Sequence, residues 1–105
     1  MIKINVKKDK GRYFGFTCKG HAEYAEYGSD IVCSAISILV INTINSIESF
    51  TDCSLSVSDE EKTGEIRVEF PDGSDEKASL LMDAMLICIR SVEEQYGESF
   101  VKLKI

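Results

Sequence analysis

The chain has 105 residues, of which 44% are hydrophobic and 29% are charged, and its formal net charge is −6. This length allows one domain with its own hydrophobic core, residues 1–105, and leaves no room for a second. Because the net charge is negative and the lysines and arginines form no long run, we expect no nucleic-acid partner, whereas a basic protein or peptide would be attracted at long range.

The N-terminal segment predicts a β-hairpin. Residues 2–6 alternate between isoleucine or valine and polar residues, and residues 13–19 alternate again after a turn at residues 8–11. A period of two is typical of strands with one buried face, and the short connection favours antiparallel pairing. The second strand would end at one edge of the sheet, where it delivers Gly20 and His21.

The next two segments predict a loop followed by a long helix. Residues 22–29 are small and polar, which is typical of a loop, whereas residues 30–50 are mostly apolar. The β-branched residues of the apolar segment favour a strand, but its length and the spacing of its polar residues favour a helix more strongly. Since its apolar surface is broad, the helix should lie on the sheet and be covered again by a second helix or a partner subunit.

The second half of the chain predicts a hairpin, a helix and a closing strand. Short alternating segments surround an acidic turn at residues 58–64, and residues 101–105 alternate again. Between them an amphipathic stripe extends to residue 96, and Cys88 lies on this stripe, so we predict that Cys88 is in the core. The order ββαββαβ predicts an α/β sandwich in which a small mixed sheet packs against two helices.

The sequence offers no ligand set for a metal and no membrane segment. The four cysteines, at positions 18, 33, 53 and 88, include no Cys-x-x-Cys pair, and there is a single histidine. These are too few ligands for zinc, and we expect no metal and no cofactor. The longest uninterrupted apolar run, residues 38–41, is far shorter than the ~20 residues of a membrane span. With a charged, alternating N-terminus instead of an apolar signal segment, the expectation is a cytoplasmic protein without membrane contact.

Cys33 is the cysteine whose neighbourhood suggests reactivity. In a reducing cytosol the default for a cysteine is a buried small hydrophobic residue. If the helix begins near Asp30, however, Cys33 falls in its first turn, where unpaired backbone N–H groups and the helix dipole favour a thiolate over a thiol. His21 lies twelve positions earlier in the sequence and could supply the base.

Residues 20–37, GHAEYAEYGSDIVCSAIS, resemble the signature of the ribosomal-processing cysteine protease (Prp) family. The matching positions are Gly20-His21-Ala22, Gly28, Asp30-Ile31-Val32-Cys33 and Ser37. The length and the order of the predicted elements agree with the family over essentially the whole chain. The resemblance implies that His21 and Cys33 form a catalytic dyad and that the protein is a homodimer.

The resemblance also implies a substrate. Members of the family remove a short N-terminal extension from large-subunit ribosomal protein twenty-seven, cutting after a pair of phenylalanines, as a step in ribosome maturation. Cys33 would then attack the scissile carbonyl as a thiolate, while His21 takes the thiol proton and later gives it to the leaving amine. N–H groups at the helix start, with that of Cys33 among the candidates, would stabilise the oxyanion. The loop 22–29 would gate access, with Gly20, Ala22 and Gly28 among its gating residues.

Each site residue also has a purely structural interpretation. His21 alone could be a strand-end histidine bonded to a carbonyl, and Cys33 alone could be a small hydrophobic residue at a helix start. Asp30 is most simply an N-cap, a role that is compatible with orienting His21. Ser37, one turn after Cys33, is as well explained by a hydrogen bond back to the helix carbonyl as by contact with the dyad.

Two other functions remain open at this level. One is a non-catalytic peptide-binding or ribosome-assembly module that uses the loop as a clamp and does not need the thiolate. The other is a cysteine-dependent hydrolase or redox enzyme that acts on a small molecule. No resolving cysteine lies close to Cys33 in sequence, although Cys18 could approach it in space.

Overall fold

A computed structural model describes residues 1–20, 29–60 and 62–105, with the side chains of Ser29 and Asp30 left out. The elements follow one another as β1 (Ile2–Asp9), β2 (Arg12–Lys19), α1 (Ser29–Phe50), β3 (Ser56–Glu60), β4 (Glu65–Glu69), α2 (Glu76–Tyr96) and β5 (Val101–Lys104). The predicted ββαββαβ order is confirmed. The predicted loop is one residue too long, because Ser29 already belongs to α1, and the rest of that loop lies outside the described residues.

The strands form one five-stranded mixed sheet in the order β3-β4-β2-β1-β5. β1 and β2 pair antiparallel as the predicted hairpin, with a bulge between Lys7 and Lys8. The β3–β4 hairpin joins the sheet through β4, which pairs antiparallel with β2. β5 is parallel to β1, with Ile2 opposite Val101, so the two ends of the chain meet in neighbouring strands.

Both helices lie on one face of the sheet. The residues of β1 and β5 that point toward the helices are buried, whereas the residues between them are exposed. On α1 the buried side chains follow a three- to four-residue spacing and belong to Val32, Ile36, Val40, Ile44 and Ile47. On α2 the buried stripe consists of Ala78, Met82, Met85, Leu86 and Ile89. Burial of each large side chain of this kind contributes about 1.5–3 kcal/mol, so this single layer of contacts dominates the stability of the fold.

Polar contacts fix α2 to the sheet at two places. In its first half, the Tyr13 hydroxyl on β2 donates to the Asp83 carboxylate at 2.5 Å. Burial and this hydrogen bond raise the pKa of Tyr13 well above its ordinary value. Near its end, the backbone N–H of Leu103 on β5 donates to Glu93 at 2.8 Å. That bond, together with the nearby Arg90, lowers the pKa of Glu93, so this attachment of β5 weakens as acid protonates the carboxylate.

The length and composition of Ile31–Phe50 would also suit a helix that crosses a membrane. The longest uninterrupted apolar run in the sequence, residues 38–41, gives no indication of this similarity to a membrane helix, because isolated polar residues divide the segment. In the fold the segment is most of α1, and its side chains at Val32, Ile36, Val40 and Ile47 are at most 1% exposed. The same apolar composition is therefore used to build the core against the sheet.

Candidate active site

The end of β2 is held tightly against the start of β1. Gly20 has a φ of +114°, and a Cβ at this position would collide with the carbonyl oxygen of Met1 and approach the Cα of Ile2 to 3.2 Å. Both the positive φ and the close approach require glycine. Gly20 therefore acts as a fixed point from which the chain leaves the sheet, directly before His21 in the sequence.

Several predicted site residues lie outside the described part of the chain. They are His21, Ala22 and Gly28, and the same holds for the side chain of Asp30. The backbone of Asp30 is the second residue of α1, so the predicted N-cap at Asp30 is wrong.

Cys33 lies one residue further into the helix than predicted. Since α1 begins at Ser29, Cys33 is its fifth residue and begins the second turn. The first four N–H groups of a helix lack intrahelical acceptors, whereas the fifth is in position to donate to the first carbonyl. The N–H of Cys33 is therefore removed from the candidate oxyanion donors, which would lie nearer the start of the helix.

Cys33 is half-buried and packs against the hydrophobic core. Its neighbour Val32 and the residue one turn later, Ile36, are each 1% exposed, so the helix cannot rotate at this point without opening the core. The sulfur is thus carried by a rigid element at the edge of the buried region. This arrangement suits a nucleophile, which needs both a fixed position and access to substrate.

Ser37 is half-buried, one turn after Cys33. The structural alternative was a hydrogen bond from its hydroxyl to the carbonyl of Cys33. Among the described residues this bond is absent, although Thr43 on the same helix donates to the carbonyl of Leu39 at 2.8 Å. The role of Ser37 beside the catalytic pair therefore stays a prediction.

Cys18, on β2, has a thiol that ionises less readily than usual. Burial raises the pKa of the Cys18 thiol to about 11, and the negative charge on a nearby Cys33 thiolate opposes its ionisation further. Both side chains belong to the same hydrophobic core, Cys18 within it and Cys33 packed against it. A thiol that is protonated throughout the neutral range is a poor nucleophile, so Cys18 acts here as a core residue.

The other two cysteines are more exposed than predicted. Cys88 is exposed, and the prediction that it lies in the core is wrong. The buried stripe of α2 passes through Met85, Leu86 and Ile89, and Cys88 lies beside this stripe on the solvent side. Cys53, after the end of α1, is half-buried. Among the residues of the described segments, no group of three or more His, Cys, Asp or Glu side chains could hold a metal ion.

The order in which the cysteines react tests this description. With limiting iodoacetamide at neutral pH, we expect Cys33 to be alkylated before Cys88, because an activated thiolate outweighs the greater exposure of Cys88. Cys18 should react more slowly than Cys33, because burial raises the pKa of its thiol and leaves it protonated at neutral pH. Peptide mapping by mass spectrometry gives the order, and alkylation of Cys88 ahead of Cys33 would contradict an activated Cys33.

Comparison with known proteins identifies the class. The sequence model of the family described as cysteine protease Prp matches residues 1–101. The chain is 28% identical over 100 residues to the ribosomal processing cysteine protease Prp of Staphylococcus aureus, with 94% of each chain covered. It is 29% identical over 105 residues to the corresponding protein of Bacillus subtilis, with 94% of this chain and 93% of that protein covered.

Solved structures agree with this assignment. The S. aureus Prp protease, in its crystal structure with a substrate peptide, superposes with a TM-score of 0.89 at 26% identity, over 99% of this chain and 98% of that one. A Streptococcus mutans protein superposes with a TM-score of 0.88 at 35% identity, over 100% and 93% of the two chains. The helix-covered sheet with its half-buried cysteine is that of a small cysteine protease. The chain belongs to the Prp family.

Proposed function

We propose that this protease removes the N-terminal extension of large-subunit ribosomal protein twenty-seven, cutting after a Phe-Phe pair, as a cytoplasmic step of ribosome maturation. The observation that carries the proposal is the match, over nearly the whole chain, to a ribosomal processing protease that was crystallised with a substrate peptide. The relatives in S. aureus and B. subtilis are named for ribosomal processing. The residues of the family signature are present in this sequence between positions 20 and 37.

Cys33 is the nucleophile in this proposal and His21 is its base. Cys33 forms the bond to the scissile carbonyl carbon, and the thiol proton goes to His21 and then to the leaving amine. Water afterwards hydrolyses the thioester and restores the thiol. The rigid attachment of Cys33 to the core supports this role, because attack requires the sulfur to be held close to a correctly oriented carbonyl.

The remaining signature residues have supporting roles in the proposal. Asp30 orients His21 or stabilises the helix start, and Ser37 contacts the dyad from one turn further along α1. Gly20 anchors the chain to β1, so the gate would move about this point through Ala22 and Gly28. The net charge of −6 favours encounter with the basic N-terminal peptide of a ribosomal protein.

A cleavage assay with a matched peptide tests the function. The substrate is a basic peptide that carries Phe-Phe at its centre, and the control is the same peptide with Ala-Ala in place of the aromatic pair. We expect mass spectrometry to show one cut, after the second phenylalanine, and a much lower rate for the control. Binding of the peptide without cleavage would instead support the clamp, and equal cleavage of both peptides would refute the specificity.

We also propose that the protein is a homodimer. Large apolar side chains are exposed along α1 at Ile31, Ile38 and Ile41, with exposed fractions of 50–69%, and along α2 at Leu80 and Ile87, at 68% and 70%. Each set repeats at helical spacing and so forms a stripe that a single chain leaves uncovered. Continuous apolar surface of this kind is typical of subunit interfaces.

Light scattering at micromolar concentration measures the oligomeric state. We expect a mass twice the 11.7 kDa of one chain. Ile38→Lys should shift the mass toward the monomer because it places a charge in the α1 stripe. Ile105→Lys, at an exposed residue away from both helices, is the matched control and should leave the mass unchanged. A monomer mass for the unsubstituted protein would refute the dimer.

A further inference from the structure

The face of the sheet that the helices leave open gathers lysines from three strands. Lys3 on β1 lies directly opposite Lys102 on β5 and directly opposite Lys19 on β2. All three lysines are exposed. Like charges on directly opposed residues repel each other, so this row of three opposes sheet formation. A protein with a net charge of −6 therefore concentrates positive charge in one place at a cost to its own sheet.

The next row across the same face contains further groups that bind phosphate oxygens. Asn5 lies opposite Lys104 on β5 and opposite Thr17 on β2, and Thr17 lies opposite Arg67 on β4. Lysine, arginine, asparagine and threonine side chains all contact phosphates and sugars in nucleic-acid complexes. The two rows, together with Lys7 in the row after them, form a continuous surface, which we call the lysine face. It is defined by Lys3, Lys7, Lys19, Lys102 and Lys104 with the intervening Asn5 and Thr17.

The lysine face is shallow, and its positive charge is concentrated on β5, β1 and β2. Gly15, opposite Lys7, borders a cavity of about 70 Å³ between β1, β2 and β4, and a Cβ at this glycine would lie only 2.6 Å from the carbonyl oxygen of Val68. Toward β4 the charge becomes mixed, since Arg67 pairs with Glu65 at 2.9 Å and Glu69 borders the cavity. A polyanion would therefore follow β5, β1 and β2 and avoid the β3–β4 edge.

We infer that the lysine face binds the phosphate backbone of single-stranded RNA. A flat sheet has no element that could enter a duplex groove, whereas a flexible single strand can follow a row of cations with one phosphate per nucleotide. Two large exposed apolar side chains, Phe14 and Ile105, stand beside Lys7 at the border of the face, whereas the rows centred on Lys3 and Asn5 offer cations and amide or hydroxyl groups instead of apolar residues that could enter a lipid bilayer. The negative charge elsewhere on the chain keeps the binding weak and sensitive to salt.

The sequence contains no local signal for the lysine face. The lysines of this face alternate with other residues along their strands and lie at both ends of the chain, and for this reason the sequence predicts no nucleic-acid partner. Strand pairing brings residues 3, 19 and 102 into one row. The inference does not depend on proteolysis, because the lysine face is on the side of the sheet opposite to the helix that carries Cys33.

Fluorescence anisotropy with labelled oligo(U) RNA tests the inference on the full chain. The test variant is Lys3→Gln/Lys102→Gln/Lys104→Gln, which leaves Lys19 unchanged because it lies two residues before His21. The matched control is Lys10→Gln/Lys62→Gln/Lys77→Gln, which changes the net charge equally at exposed lysines outside the face. Thermal unfolding serves as the fold check, and the test variant should be at least as stable as the unsubstituted protein because lysine repulsion is relieved.

We expect the unsubstituted protein and the control to bind RNA, with affinity falling about 100-fold between 50 and 200 mM salt if five lysines contact phosphates. The test variant should bind at least ten-fold more weakly and show a smaller salt dependence, while it cleaves the free Phe-Phe peptide as the unsubstituted protein does. Equal loss of RNA binding in the control, or unchanged binding in the test variant, would overturn the inference. Tighter binding to polyglutamate or to phosphatidylserine vesicles than to oligo(U) would overturn it as well, in favour of an acidic protein or a membrane.

Discussion

Cys33→Ala is expected to lower the cleavage rate of the Phe-Phe peptide by roughly six powers of ten, the scale of losing the nucleophile in other proteases. The alanine has no atom that can form the acyl intermediate, and no other described cysteine can replace it. Cys18 is buried with its pKa raised to about 11, Cys53 follows the far end of α1, and Cys88 is on α2. The measurement is kcat/KM by mass spectrometry of the products.

The controls for this variant separate chemistry from folding. Cys88→Ala removes an exposed thiol and should leave the rate unchanged. Cys33→Ala should keep the fold and lose no more than about 1 kcal/mol of unfolding free energy, because its side chain is only half-buried. If Cys33→Ala cleaves within ten-fold of the unsubstituted protein, Cys33 is not the nucleophile.

His21→Ala should lower turnover by roughly three to four powers of ten at neutral pH, less than loss of the nucleophile. The difference arises because a cysteine is intrinsically nucleophilic and still reacts through the small fraction of thiolate that forms without a base. The residual rate should therefore rise with pH as hydroxide replaces the base, by up to about ten-fold per pH unit at the acidic end of the range. Kinetics from pH 6 to 9 measure this slope.

Added imidazole distinguishes a missing base from a damaged site. It can enter the space left by His21 and accept the thiol proton, so it should restore part of the activity of His21→Ala and none of that of Cys33→Ala. The chain has no other histidine that could take over. Near-normal turnover of His21→Ala without imidazole would show that the base lies elsewhere.

Local patterns predicted the order of the elements but not all of their bounds: the acidic turn predicted at residues 58–64 is wrong in its first half, because β3 extends to Glu60. Alternation at Ile2, Ile4 and Val6 predicted β1, and the period of α1 outweighed its β-branched residues because so long a buried strand would be exceptional. The arrangement of the strands has no such signal. That β4 lies beside β2, and that Val101 pairs with Ile2, depends on contacts between distant residues, which no local period encodes.

The candidate site was predicted mainly from the family signature, since each residue alone had an ordinary structural explanation. The exact helix start could not be predicted, because Ser29, Asp30 and Gly28 are all acceptable near a helix N-terminus. That uncertainty of one residue decided whether Asp30 is a cap and whether Cys33 has a free N–H. Cys88 was misplaced for a similar reason, because a position adjacent to a buried stripe can face either the core or the solvent.

The parallel pairing of β5 with β1 determines when the protease can assemble during its own synthesis. β1 and β2 emerge first, yet β1 remains an unprotected sheet edge until residues 101–104 have been made and can pair with it. The same strand attaches to α2 through Glu93, so the core under α2 also closes last. A nascent chain that already contains Cys33 therefore lacks the completed sheet until β5 has been made and has paired with β1.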